Sequence, residues 1–366
     1  MSTFQYANPA VIHWGEGSVA AELDRELERR RARRVLLVTT RSAVLDARLA
    51  PAIEAILGVR LAARHVVGQH APVRAVMDGV HVARAAPPDA IVSLGGGSPI
   101  DAAKAIAFSL ATGIDLTLPD AQARGRRAAL DAVVPHLAIP TTLSVAELAA
   151  SAGFAAEGTR EKVGVAAPAL RPAAVMYDAR LAVATPLELW LSTGIRAVDH
   201  AVETLLAPGE HPLPDAAAVD GLRRLKAGLV GARQRPGDLA ARTECQLGAW
   251  FSYLLPTAAS RGLSHVLGKR IGSPHAIPHG VTSCLLLPHV LRRLAPRAPP
   301  AARRIAEALG ASDAAAAVAE LIEALGLPRH LAAYGLSDAD LAAAARDVAT
   351  PDHPEAELLG ILRDAL

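Results

Sequence analysis

The chain has 366 residues, 51% hydrophobic and 20% charged, and its 38 basic and 36 acidic side chains leave a formal net charge of +2. That length exceeds what one compact core ordinarily holds, so two domains are expected, and the near-cancelled charge gives no reason to look for nucleic acid or an anionic membrane as a partner. Cys245 and Cys284 are the only cysteines, which argues against a disulfide scaffold or a thiolate zinc site and for a reducing cytoplasm.

The start, "MSTFQYANPAVIHWGEGS", lacks the basic residues and apolar run of a signal peptide. No stretch reaches about 18 uninterrupted apolar residues, so no membrane span is expected. Aromatic residues make up only 3% of the chain, so the core has to be built from Ala, Leu, Val and Ile. In chain order, "RVLLVTT" (34–40) reads as a strand, and "RSAVLDARLAPAIEAIL" (41–57) after it as one helix. "DAIVSLG" (89–95) repeats the pattern before the helix "SPIDAAKAIAFSLA", and "PHLAIPTT" (135–142) and "PAAVMYD" (172–178) are further strands. Strands alternating with helices predict a parallel sheet covered on both faces, with ligands at the carboxyl ends of its strands.

From "TPLELWLSTGIRAVDHAVETLL" (185–206) onward the periodicity is helical, broken by turns such as "LAPGEHPLPD" and "RLAPRAPPAA". "ASDAAAAVAELIEALG" carries the spacing of an amphipathic helix rather than low complexity. The reading is an α/β domain over 1–180 and a helical domain over 181–366.

Between a strand and a helix, "SLGGGSPIDAAKAIA" (93–107) sets Gly95, Gly96, Gly97 and Ser98. Such a turn lets backbone approach a phosphate and offers free amides and a hydroxyl. Its glycine spacing is neither the dinucleotide fingerprint nor a P-loop, so an unliganded tight turn is the alternative. Asp101 and Lys104 on the opening helix favour phosphate binding.

Four stretches in order, "GGGSPIDAAKAIA", "AIPTT" (138–142), "STGIRAVDHAVE" (192–203) and "GLSHVLGKRIGSPHAIPHGVTSCLLLPHVL" (262–291), resemble the signature regions of the iron-containing alcohol dehydrogenase family. The likeness runs from "VIHWGEGS" to the last helices, and "TTLSVAE" and "DHAVE" look most like the maleylacetate reductase branch. The resemblance implies an α/β plus all-α chain of dehydroquinate synthase-like fold, with an N-terminal Rossmann-like parallel-sheet domain and a C-terminal helical domain. It also implies a homodimer and NADH or NADPH as cofactor. By position, Gly95, Gly96, Gly97 and Ser98 would hold the pyrophosphate, with Asp101 on the helix they open. Thr141 and Thr142 would line the cofactor, and Lys162 would sit near its ribose. Thr39, Thr40 and Arg41 fall where the family senses the adenine ribose. An acidic residue there would repel a 2′-phosphate; none is present, so NADPH should be accepted alongside NADH.

Metal-binding members of the family use one aspartate and three histidines. His200, His265 and His279 match the histidines, but Arg196 stands at the aspartate position and Lys269 replaces a further histidine. Arg stays protonated and has no lone pair to give a metal. Three readings remain at this point: a metal held by His200, His265 and His279, histidines that are merely structural, or a metal-free cluster that binds an anion, which is the expected one. Asp199, one residue from His200, is turned roughly 100° away on a helix. The maleylacetate reductases are regarded as metal-independent. In the metal-free reading Arg196 fixes a carboxylate, the three histidines polarise the pocket, and His275 or Lys269 manages the proton.

The expectation is a reductase of a small anionic oxo acid, maleylacetate to 3-oxoadipate. The alternatives are an iron- or zinc-dependent alcohol dehydrogenase, a reductase of an aldehyde such as a phosphonate aldehyde, a dehydroquinate synthase-like lyase, and a cofactor-binding protein without catalysis. His136, His289 and Glu147 are read as structural or supporting residues, and Trp190 and Trp250 as core anchors.

Overall fold

The computed structural model describes residues 7–118, 120–127, 130, 132–156, 162–209, 211–254 and 262–366. The chain divides into two compact units, Asn8–Thr185 and Pro186–Leu366.

The first unit is built on six parallel strands: β1 (Val11–Trp14), β2 (Val35–Thr39), β3 (Leu61–Val66), β4 (Ala90–Gly95), β5 (His136–Pro140) and β8 (Ala174–Tyr177). A separate antiparallel pair, β6 (Ser151–Ala155) and β7 (Lys162–Ala166), lies between β5 and β8 in sequence. The sheet order is β1-β8-β5-β4-β2-β3. The chain steps from β2 to β3 on one side and then crosses to β4 on the other, so the carboxyl ends of β2 and β4 flank a topological switch point, where such sheets bind ligands. Thr39 Oγ1 donates to Leu94 O at 3.0 Å and ties those two ends together.

The central strands read as continuous apolar runs because both faces are covered. Leu36, Val38 and Ile91 point into one core with α4 (Val73–Ala85) and α5 (Gly97–Thr112). Val35, Leu37, Val92, Leu94, Leu137 and Ile139 point into the other with α1 (Ser18–Arg29) and α3 (Ala50–Leu57). Alternation of side chains along a strand produces this division. The four strands read from the sequence are all present; β1, β3 and the β6–β7 pair are additional.

The helix read across 41–57 is two helices, α2 (Arg41–Leu45) and α3. Asp46 accepts from Arg48 N at 2.9 Å and turns the chain, and Pro51 stands in the first turn of α3, where a proline starts a helix without losing a hydrogen bond. Two short helices, α6 (Ala121–Arg127) and α7 (Ala179–Ala182), also belong to this unit.

Among the described residues the second unit is built of helices and the turns that join them. It holds α8 (Leu187–Leu206), α9 (Pro212–Gln234), α10 (Leu239–Ser252), α11 (Leu263–Gly272), α12 (His279–Leu294), α13 (Pro299–Ala308), α14 (Ala314–Ala324), α15 (Asp338–Val348) and α16 (Glu355–Asp364). Leu263, Leu267 and Ile271 of α11 pack with Val281, Leu285 and Leu286 of α12 and with apolar faces of α15 and α16. The Ala-rich stretch near the C-terminus is α14, its buried face made by Ala314, Val318, Leu321 and Ile322 and its start capped by Asp313, which accepts from Ala316 N. Among the described residues, no helix is long and apolar enough to cross a membrane.

Candidate functional site

The glycine turn sits at the end of β4. Gly95 has φ +137°, and a Cβ on it would lie 2.8 Å from Pro99 Cγ. A Cβ on Gly96 would lie 3.0 Å from Thr142 Cγ2, so glycine is what lets the loop after β5 close over the turn. The same loop brings Thr141 N to Gly95 O at 2.9 Å. Thr142 is 7% exposed, and its Oγ1, like Ser144 Oγ, is buried with no hydrogen-bond partner among the described residues. Two hydroxyls without partners beside a bare backbone turn and a helix start are suited to phosphate oxygens. Ser98 Oγ accepts from His70 N at 2.9 Å, which leaves its own proton to donate.

His70 and Ala71 both adopt positive φ, +63° and +46°, to bring that amide over the turn. Thr40 caps α2, its Oγ1 accepting from Ala43 N, and Arg41 is exposed at the helix start. Asp101 accepts from Gly153 N at 3.2 Å, and Lys104, fully buried, donates to Ala146 O and Ser151 O. These two residues brace the loop and β6. Lys162 opens β7, and its side chain lies outside the described residues.

In the helical unit, α8 presents Arg196, His200 and Glu203, spaced four and three apart and so on one face. His200 packs its ring edge-on to Tyr253, centroids 5.1 Å apart, and lies 5.5 Å from the ring of His265 on α11. Ligand atoms of His200, Glu203 and His265 all fall within 4.8 Å of one another. Glu203 accepts from His265 N at 3.0 Å and so caps α11 from a neighbouring helix. A Cβ on Gly262 would lie 2.4 Å from Glu203 Cδ, so this approach requires glycine. Burial, reinforced by the charge of Asp199, raises the pKa of the Glu203 carboxyl, and Arg196 opposes the rise.

Arg196 is turned into this cluster and is only 8% exposed. One terminal nitrogen donates to Asp199 Oδ2 at 3.1 Å and to Ser283 Oγ at 2.9 Å. The other meets His265, 2.6 Å from Nε2 and also in contact with Nδ1. Asp199 Oδ2 further accepts from Ser264 Oγ at 3.0 Å and from Ser283 Oγ at 2.6 Å. Burial raises the pKa of this carboxyl, while Arg196 and the two serines pull it back. Asp199 is therefore turned toward Arg196, in keeping with its place one step round the helix.

His279 is the first residue of α12 and is not among the three side chains brought within ligand distance, a place Glu203 takes instead. Lys269 lies one turn beyond His265 on α11 and is exposed. His275 stands 3.8 Å from Asp340 of α15. His289 lies 3.4 Å from Arg292. His136 is buried against Ser93 Oγ at 2.7 Å, and burial, with the charge of Lys104, pushes its pKa down to about 3. Glu147 is fully buried, accepts from Tyr177 OH at 2.8 Å, and is pushed up to about 7 by burial.

Sequence reasoning missed Glu203, Ser144, His70, Ser264 and Ser283. Glu203 could have been found, since it stands at i+7 from Arg196 and i+3 from His200. The others come together only through tertiary contact.

The N-terminal part of the chain, residues 9–179, matches the family model described as iron-containing alcohol dehydrogenase. Residues 190–357 match the C-terminal model of the same family. A maleylacetate reductase of Pseudomonas aeruginosa is 31% identical, over 98% of this chain and 96% of that one. A maleylacetate reductase of Burkholderia cepacia is 31% identical over 91% of this chain and 87% of its own length. Among solved structures, the maleylacetate reductase of Agrobacterium tumefaciens has a TM-score of 0.85 at 30% identity, covering 100% of this chain and 99% of that one.

Proposed function

The chain belongs to the iron-containing alcohol dehydrogenase family and is an oxidoreductase, and from that premise we propose that it reduces maleylacetate to 3-oxoadipate with NADH or NADPH and without a catalytic metal. The observation that carries the metal-free part is the Arg196 guanidinium among His265, Asp199 and Ser283.

The residues present fit a dinucleotide. Gly95, Gly96 and Gly97 bare the backbone of the turn that would meet a pyrophosphate, and Ser98, Thr142 and Ser144 supply hydroxyls for its oxygens. Thr141 and Thr142 carry the loop that closes the turn, Asp101 braces it, and Lys162 is assigned to the ribose. With Thr39, Thr40 and Arg41 at the end of β2 there is no carboxylate to repel a 2′-phosphate, so both cofactors are accepted.

They do not fit a divalent metal. The His265 ring nitrogens that a metal would use face an Arg N–H donor. A guanidinium about 4 Å from a doubly charged ion costs on the order of 8 kcal/mol at an effective dielectric near 20, before compensation by carboxylates.

When bound, the nicotinamide supplies hydride. Reduction of a carbon–carbon double bond conjugated to a ketone puts negative charge on the ketone oxygen and calls for one proton at the α carbon. Arg196 and the imidazoles of His200 and His265 offer N–H donors to that oxygen, and His279 adds one at the start of α12. The Arg196 guanidinium suits one carboxylate of a dicarboxylate substrate. The proton is better assigned to His200, whose ring lies 5.5 Å from that of His265 in the same cluster, than to His275, which is near Asp340, or to the exposed Lys269. A homodimer is expected and is tested by light scattering.

The test is oxidation of NADH and NADPH by chelator-treated protein with maleylacetate. Rapid turnover, unchanged by added iron or zinc, supports the reading. Turnover that appears only after iron or zinc is added would instead make the His200, Glu203 and His265 group a catalytic metal centre. No turnover under either condition removes maleylacetate as substrate.

A further inference from the structure

We propose that Arg196 and Asp199 together plug a latent divalent-metal site, the guanidinium standing in for an ion among His200, Glu203 and His265, so that replacing Arg196 by a carboxylate residue opens the site. The proposal deepens the metal-free reading above and rests on it.

Two imidazoles and a carboxylate, from α8 and α11, already lie within 4.8 Å of one another, and their donor types suit zinc, cobalt or iron. Arg196, on the same face of α8 as His200 and Glu203, reaches into this group at His265. Its side chain is 10% exposed, so it is not a solvated cation that swings away, and the His265 ring nitrogen holds it in place. Asp199 fixes it from the other side. That carboxyl is fully buried, takes Arg196, Ser264 and Ser283 on one oxygen, and has no partner on the other among the described residues.

The charges explain why plug and seat belong together. With Arg196 in place, one buried cation faces two buried carboxyls, Asp199 and Glu203. Without it, those carboxyls and two imidazoles surround a space with no cation, which costs free energy until an ion enters. A side chain at 196 lies one helical turn from His200, so Asp there adds a further oxygen from the face that already carries two of the three donors.

Chelator-treated wild type, Arg196→Asp and Arg196→Ala are titrated with Co²⁺, following its visible ligand-field absorption and its uptake by equilibrium dialysis. Wild type is expected to take up no stoichiometric Co²⁺. Arg196→Asp is expected to bind one equivalent, with bands of a low-coordinate site that Zn²⁺ displaces and that Arg196→Asp/His265→Ala lacks. Arg196→Ala should bind at least tenfold more weakly than Arg196→Asp but more tightly than wild type, and it decides the matter if the Asp variant does not fold. One equivalent bound by wild type and lost on His265→Ala overturns the proposal, as does absence of Co²⁺ binding in variants that circular dichroism shows to be folded. Because no substrate is used, failure of the maleylacetate reading leaves this result independent.

Discussion

Glu147 makes the stability of the α/β unit depend on pH, and the sign follows from its burial. Its carboxyl is fully buried and accepts the Tyr177 hydroxyl, and burial pushes its pKa from 4.5 up to about 7. Below about pH 4.5 the group is protonated in both folded and unfolded chains, and its contribution is fully present. As pH rises toward 7 the unfolded chain ionises while the folded one resists, so stability is lost through that window and then levels off. The interval from 4.5 to about 7, at 1.36 kcal/mol per pH unit, amounts to roughly 3 kcal/mol. Lys104, whose buried ammonium is favoured by the Glu147 charge, makes this an upper bound.

Glu147→Gln keeps an acceptor for Tyr177 and removes the ionisation. Its amide N–H groups, near an oxygen position with no partner among the described residues, cost about 1–3 kcal/mol at every pH. The informative quantity is therefore the change with pH of the difference between the two proteins. Urea unfolding at pH 5 and pH 8 should show that difference moving in favour of the variant by up to roughly 3 kcal/mol. Parallel pH profiles for the two proteins would refute the reasoning.

His136 has the opposite sign. Its pKa is pushed down to about 3 by burial, so its contribution is present above about pH 6.5 and is lost as pH falls toward 3. His136→Gln should unfold less steeply with acid than wild type over that window in the same urea assay. Gly96→Ala places a methyl 3.0 Å from Thr142 Cγ2. We expect the KM for NADH to rise roughly tenfold or more, from loss of a charge-assisted contact of about 1.5–3 kcal/mol, with an unchanged circular dichroism spectrum. Arg41→Asp sets a carboxylate at the end of β2 and should lower kcat/KM for NADPH relative to NADH at least about tenfold in paired cofactor assays. Gly262→Ala, with its Cβ 2.4 Å from Glu203 Cδ, should lower stability by about 1–3 kcal/mol in thermal melts.

What could be read from the sequence follows from the range of the forces involved. β2, β4, β5 and β8 were legible because strands buried on both faces leave unbroken apolar runs, and the glycine turn because only glycine fits where Thr142 and Pro99 come so close. The break between α2 and α3 was legible in principle from Pro51. The β6–β7 pair was not, since "SAGFA" and "KVGVA" are short and carry small residues with little periodic contrast. At the candidate site, Arg196 and His200 stood out because they fall at metal-ligand positions of the family that the sequence resembles. Ser264 and Ser283 did not, being 65 and 84 residues from the Asp199 carboxylate they serve.

The substitution at the metal-binding aspartate position looks in sequence like a single reversal of charge, but the structure gives it a partner. Asp199, three residues on, falls close enough on α8 to pair with the Arg196 guanidinium, while the one-residue step from His200 turns it away from the imidazoles. A buried Arg without such a partner would carry an uncompensated charge, at a cost of several kcal/mol. A buried Asp199 without Arg196 would be driven toward its neutral form by burial. Each of the two residues therefore makes the other tolerable. The pair has to be changed together, or an ion supplied, if the cluster is to keep its charge balance. On that argument Asp199→Asn alone should destabilise the helical unit more than Arg196→Asp does in the presence of Co²⁺, because only the second change leaves a charge that an added cation can answer.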